Sequence, residues 1–222
     1  MSISDNFIWF PQTRGKSEIV GESDDHFFSK KGASEFTNFT FNTSYEASTE
    51  STPTGGSGGS DASSSASSSA SSSSSSGSQG KASFGECSVT KRMDVMSPML
   101  YKYCSKGAKI PNIMLGLRKA GGEPLLYLQF IFRYVTISSL SWSGGSGAEA
   151  PSETLTFNFK AMGMQYVPQS VTGAARTDSD RGITTKEWRW NVTLNGSNSL
   201  DIPRFEPAPE PPFLPPHLPI PK

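Results

Sequence analysis

The chain has 222 residues, and its 20 Lys plus Arg match its 20 Asp plus Glu, so the formal net charge is zero. That balance lacks the basic excess of a nucleic-acid binder and leaves like subunits little mutual repulsion. Two histidines and two cysteines are too few for a disulfide scaffold, and no Cys-x-x-Cys, His-x-x-x-His or His-Glu-x-x-His spacing offers a zinc ligand set.

The opening residues show no basic region followed by a long apolar run, so no secretory signal is expected. No apolar run approaches a membrane span either. Synthesis and folding in the cytoplasm are expected, with any export relying on something other than an N-terminal signal. Ile3 to Phe10 reads as a first strand closed by Pro11. A polar stretch follows from Arg14 to Lys31, with a short strand at Glu18 to Val20. His26 follows Asp24 and Asp25, which invites a metal reading; a solvated acidic turn outweighs it. Glu35 to Tyr45 alternates as a half-buried strand does, with Phe39 and Phe41 sharing a face with Thr37 and Thr43.

Ala47 to Gly80 is nearly all Ser, Gly, Ala and Thr. Without large apolar side chains it cannot offset the entropy of being ordered. It reads as a flexible loop within a domain, because each flank looks too incomplete to stand alone. A chain of this length has a typical span of roughly 30 Å, enough to reach a neighbouring subunit.

Strands resume at Ala82 to Val89, which carries Cys87. Next comes a helix over about 97–106. Ser97 is expected to cap it, Pro98 fits its first turn, and Gly107 can take the left-handed conformation that ends it. Leu100, Tyr103 and Cys104 share its buried face, and both cysteines are expected as free thiols. Lys91 and Arg92 stand two or three residues before Asp94. An inter-subunit salt bridge and a solvated cluster worth well under about 1 kcal/mol both fit that spacing.

Ile113 to Lys119 and Leu125 to Leu140 read as strands joined by a turn at Ala120 to Pro124. The second is apolar on both faces. Leu126, Leu128, Phe130 and Phe132 take one, and Tyr127, Ile131, Val135 and Ile137 the other. Such a strand belongs in a sandwich or barrel, or at a subunit contact. After a Gly-rich loop at Ser143 to Gly147, Glu153 to Val167 alternates, with Leu155, Phe157, Phe159 and Ala161 on one face. Trp188 to Leu194 is a weaker strand, and core packing outweighs a binding surface for Trp188 and Trp190. The segment from Pro203 to Lys222 holds nine of the sixteen prolines. It cannot be a central strand and is expected to be extended and exposed. An aromatic-groove ligand and an unstructured terminus are equally open readings of it.

No catalytic residue, cofactor or metal is expected. No Gly-x-Ser-x-Gly elbow stands between a strand and a helix, and no Gly-Lys-Ser follows Gly55 to Gly59, so a phosphate loop is excluded. Carboxylates such as Glu86 and Asp94 carry no mark of an acid–base pair.

Lys81 to about Gln169 resembles the haemolysin-coregulated protein (Hcp) family, the tube subunits of bacterial type VI secretion systems. The match runs through Ala82-Ser-Phe-Gly-Glu-Cys-Ser-Val-Thr-Lys91, Asp94, Ser97-Pro98 and Lys106-Gly107. It continues through Ile113 to Gly122, Val135 to Leu140 and Glu153 to Phe159. Phe7 to Phe10, Gly21 to Asp24 and Phe36 to Tyr45 look like the family's opening strands.

The resemblance implies a mainly β, two-sheet barrel with one flanking helix over 1–200 and a Pro-rich tail over 201–222. It implies hexameric rings stacked into a tube, a contractile sheath, a spike at the tip, lumenal effectors and export of the subunit. It implies neither nucleic acid nor membrane insertion. In this picture copies of the barrel complete one another's sheets. The 47–80 segment falls where the family has a loop that contacts the next ring, making Ser48, Thr52, Gly55, Gly58, Ser78 and Lys81 stacking candidates. Phe205, Phe213, Leu214 and Ile220 are candidates for contacts by the tail. Two other readings remain: the tube of a phage-like contractile particle, and a monomeric effector carrier or ligand-binding barrel.

Overall fold

A computed structural model describes residues 6–11, 18–46, 81–119, 125–145, 150–169, 175–178, 181–197 and 205. Ten strands and one α-helix follow in chain order: β1 (Asn6–Trp9), β2 (Ser34–Thr40), β3 (Thr43–Glu46), β4 (Lys81–Phe84), β5 (Cys87–Arg92), α1 (Ser97–Lys106), β6 (Lys109–Arg118), β7 (Leu126–Ser143), β8 (Ser152–Asn158), β9 (Ala161–Tyr166) and β10 (Lys186–Asn191). No strand was found at 18–20, where Ile19 is buried without joining a ladder.

The main sheet runs β10-β9-β7-β6-β1-β2-β5-β8, and β8 pairs again with β7. The six strands from β7 round to β8 therefore close into a barrel. Closure satisfies the backbone on both sides of each of these strands within one chain, which removes the edges a sheet would otherwise present. This corrects the expectation that neighbouring copies complete the barrel's sheets. What stands at the end of the strand order is β10, outside the barrel.

β7 makes the closure possible. Leu128 to Arg133 pair with β9, and Thr136 to Ser143 pair with β8. Between them Tyr134 has φ 52°, so the strand turns locally and changes partner. The face assignment changes there as well. Phe130, Phe132, Val135 and Ile137 all enter the barrel interior, while Ile131 faces a second cluster outside it; Leu126 faces that cluster too, beyond a separate register shift against β6 at Leu117/Arg118. Simple alternation had placed Leu126 with Phe130, and Ile131 with Val135.

A similar irregularity sits in β2. The register to β5 shifts between Phe36 and Asn38, so Phe36 and Phe39 both join the interior cluster while Thr37 is exposed and donates to the Thr90 carbonyl (3.1 Å). The interior is filled by rings: Phe132 lies 4.9 Å from Phe159 and 5.2 Å from Phe157. Outside, Phe7 stacks on Phe28 at 3.9 Å. Gly116 on β6 admits the Trp9 ring, since a Cβ there would meet it at 3.0 Å.

β3 and β4 form a separate two-stranded ribbon with Glu46 opposite Lys81. The segment 47–80 thus starts and ends at one place, and β2 and β5 on its two sides pair directly. Both cysteines are free, Cys87 buried and Cys104 half-buried.

Candidate assembly site

The Lys-x-x-Asp-x-x-Ser-Pro run proves to be a buried staple. Lys91 ends its side chain inside the wall between β5 and α1, with no exposure. Its Nζ donates to Asp94 Oδ1 (2.7 Å), the Arg92 carbonyl (3.0 Å) and Ser97 Oγ (3.3 Å). It also lies 3.1 Å from Oε1 of Glu153, the residue directly opposite on β8. Glu153 is fully buried and its Oε2 accepts from Trp142 Nε1 on β7 (2.7 Å). One ammonium therefore ties β5, β8 and the start of α1 together.

Both sequence readings of Lys91 and Asp94 are corrected: the pair is neither solvated nor reaching for another subunit. The desolvation of three charges is offset only because each finds an opposite charge or a donor. Arg92, by contrast, is exposed.

Ser97 also takes a different part. The helix begins at Ser97, so Met96 is the N-cap residue, and it makes no side-chain capping bond. Asp94 Oδ1 instead accepts the Met96 amide (3.1 Å), and Ser97 Oγ accepts the Asp94 amide (3.1 Å). The carboxylate thus serves helix entry and ion pair together. Pro98 sits in the first turn, as its lack of an N–H allows. Gly107 closes the helix at φ 57°, with its N–H on the Cys104 carbonyl (3.0 Å).

A second ion pair lies beneath the outer cluster. Arg118 Nη1 is 2.6 Å from Asp25 Oδ2, and its guanidinium lies 5.0 Å from the Phe7 ring centroid. Burial alone would raise the Asp25 carboxyl. The Phe28 amide, the Arg118 guanidinium and the Phe27 amide outweigh burial and hold it below its ordinary value. His26 follows in the same turn, and the described residues contain no group of side chains able to hold a metal.

The ribbon and the β9–β10 flank enclose an apolar groove of about 490 Å³. Phe41, Tyr45 and Phe84 line one side, and Met162, Met164, Trp188 and Trp190 the other. Trp188 and Trp190 stack with centroids 5.8 Å apart, and Phe84 lies 6.3 Å from the Trp188 ring. The ribbon is fastened there by the Ala82 amide, which donates to Asn195 Oδ1 (3.2 Å). Trp188 is 38% exposed and Tyr45 67%, so this face is a surface as well as packing. A second exposed aromatic pair, Tyr101 on α1 and Trp142 on β7, stacks at 5.5 Å.

Among the stacking candidates, Lys81 is exposed at the start of β4. Ser48, Thr52, Gly55, Gly58 and Ser78 lie outside the described residues, as do Phe213, Leu214 and Ile220. Phe205 differs from the expectation for an exposed tail. It is buried in the outer cluster with Phe7, Trp9 and Phe28, and the Arg189 guanidinium lies over its ring at 5.5 Å.

Among the described residues, a closed barrel, one flanking helix and a separate ribbon that lines an apolar groove define the fold. Residues 7–166 match the family described as type VI secretion system effector, Hcp, and the chain belongs to that family. Over 116 residues it is 34% identical to Protein hcp1 of Pseudomonas aeruginosa, covering 52% of this chain and 68% of that protein.

Among solved structures, Hcp1 from Salmonella typhimurium superposes with a TM-score of 0.57 at 25% identity, over 86% of this chain and 96% of that one. A structure described as a type six secretion system protein gives 0.64 at 24% identity, over 86% and 98%. A type VI secretion system effector from Yersinia pestis gives 0.54 at 22%, over 85% and 100%. The last two show a shared fold.

Proposed function

We propose that this chain is a ring-forming tube subunit of a type VI secretion system. Six copies make a ring, rings stack into a hollow tube, and a contractile sheath drives that tube behind a spike. The subunit leaves the cell through the machine itself, and the lumen holds small effector proteins. Its role is mechanical, with no substrate turned over.

The family match across residues 7–166 carries this reading. Two features of the fold support it. The ribbon sets Glu46 opposite Lys81, so the two ends of the 47–80 segment lie side by side, and this supports the reading that the segment reaches a neighbouring ring. The barrel interior is packed with Phe130, Phe132, Phe157 and their neighbours, which weighs against a ligand-binding barrel. Electron microscopy of the purified full chain tests the proposal. Rings with a central hole, some stacked, are expected. Particles of single-subunit size at every protein concentration and salt would overturn it.

A further inference from the structure

We infer that the groove between the ribbon and β10 is a docking site for the chain's own proline-rich segment, residues 206–222. Three observations converge on this. The first is chemical. The groove is lined by Trp188, Trp190, Phe84, Phe41 and Tyr45 together with Met162 and Met164. Flat aromatic walls are what extended proline-rich segments pack against, because such segments are already stiff and lose little entropy on binding. The segment 206–222 contains eight prolines and intersperses Phe213, Leu214, Leu218 and Ile220 among them.

The second observation is where the described chain ends. Phe205 is buried under Arg189 of β10. Arg189 lies between Trp188 and Trp190, and successive side chains on a strand point to opposite faces. Phe205 is thus anchored on one face of the strand whose other face forms the groove. β10 stands at the end of the strand order, so a chain leaving Phe205 can pass round it. That passage is about 10 Å, the spacing of packed layers. Phe213, eight residues on, can reach about 25 Å in an extended proline-rich conformation. Such a short tether favours this occupant over a free competitor by raising its local concentration.

The third observation is that β10 and the tail come from one part of the chain. Both lie C-terminal to the residues that the family model matches. The part that supplies the two tryptophans also supplies their ligand. The inference concerns a single chain, so it stands or falls separately from ring assembly.

The test uses the full chain with the photoreactive residue p-benzoylphenylalanine at position 213, and separately at 214. Equal amounts of ¹⁵N-labelled and unlabelled protein are mixed before irradiation, and cross-linked peptides are identified by mass. Cross-links to peptides containing 41–45, 82–84, 162–164 or 188–190 are expected, joining only peptides of like label. Trp188→Ala should abolish them. Trp188 is partly exposed, so this variant is expected to fold; circular dichroism checks that. Absence of cross-links from both positions, or cross-links only elsewhere, would overturn the inference. Cross-links of mixed label would assign the groove to a second copy and overturn it equally. Cross-links that survive Trp188→Ala would contradict its aromatic basis.

Discussion

Phe132 and Trp188 are both large aromatic residues on antiparallel strands, yet they sit in opposite surroundings. Phe132 has no exposed surface and is ringed by Phe41, Phe130, Phe157 and Phe159. Trp188 keeps 38% of its surface exposed, with Trp190 and Phe84 for company. The barrel has completed its contacts within one chain, and the β9–β10 flank has not. Stability should therefore reside in the first region and docking of the chain's own 206–222 segment in the second.

Substitution at each site is the strongest way to break that contrast. Phe132→Ala should cost about 3–5 kcal/mol, as removal of a fully buried ring does. Trp188→Ala should cost at most about 1.5 kcal/mol, below the worth of burying a whole side chain. Urea titrations of the two variants measure both. Equal losses would mean that the groove belongs to the folding core.

Lys91 sharpens the same point for charge. Lys91→Met leaves Asp94 and Glu153 buried without their cation, which should cost about 3–5 kcal/mol. A solvated cluster would lose well under about 1 kcal/mol. Adding Asp94→Asn and Glu153→Gln to Lys91→Met should recover part of the loss. No recovery would show that packing of the lysine stem, rather than charge, dominates.

A smaller effect is expected at Asp25, which is more exposed than the staple. Its folded pKa lies below the ordinary value, so on acidification the unfolded chain takes up the proton first. The Asp25 contribution is full above the ordinary carboxylate pKa and is lost as pH falls through the lowered folded value. Asp25→Asn should flatten this part of the acid limb of the stability profile. An unchanged acid limb would contradict the Arg118 pairing.

The smallest effect is at the cysteines. Burial pushes the Cys87 thiol up to about 12, so it should stay unreactive toward a thiol reagent at pH 8 until the chain unfolds. Half-buried Cys104 should be modified first. Rapid labelling of Cys87 in the native chain would show that the barrel opens.

Much of this architecture was legible in the sequence, because the signals were local. Pro98 and Gly107 bracket a helix whose bounds, 97–106, agree with expectation. Alternation located most strands. It failed where one residue breaks the period: at Tyr134 with its positive φ, at the β2 bulge, and at the β6–β7 register shift beside Leu126. Ser97 looked like a cap because its residue type and place fit one, yet Asp94 occupies that role through a turn.

Glu153 was missed as Lys91's second partner, although a signal existed. It shares the two-residue period of the buried Leu155 and Phe157, and a carboxylate on a buried face demands a cation. Asp25 with Arg118, and the groove built from positions as distant as Phe41 and Trp190, carry no local pattern. They appear only once the strands are paired.

Native mass spectrometry of the purified full chain, taken across a concentration series, tests the central claim most directly. A ring-forming tube subunit predicts a species of six times the chain mass that grows with concentration. A single species at the monomer mass throughout would contradict the account.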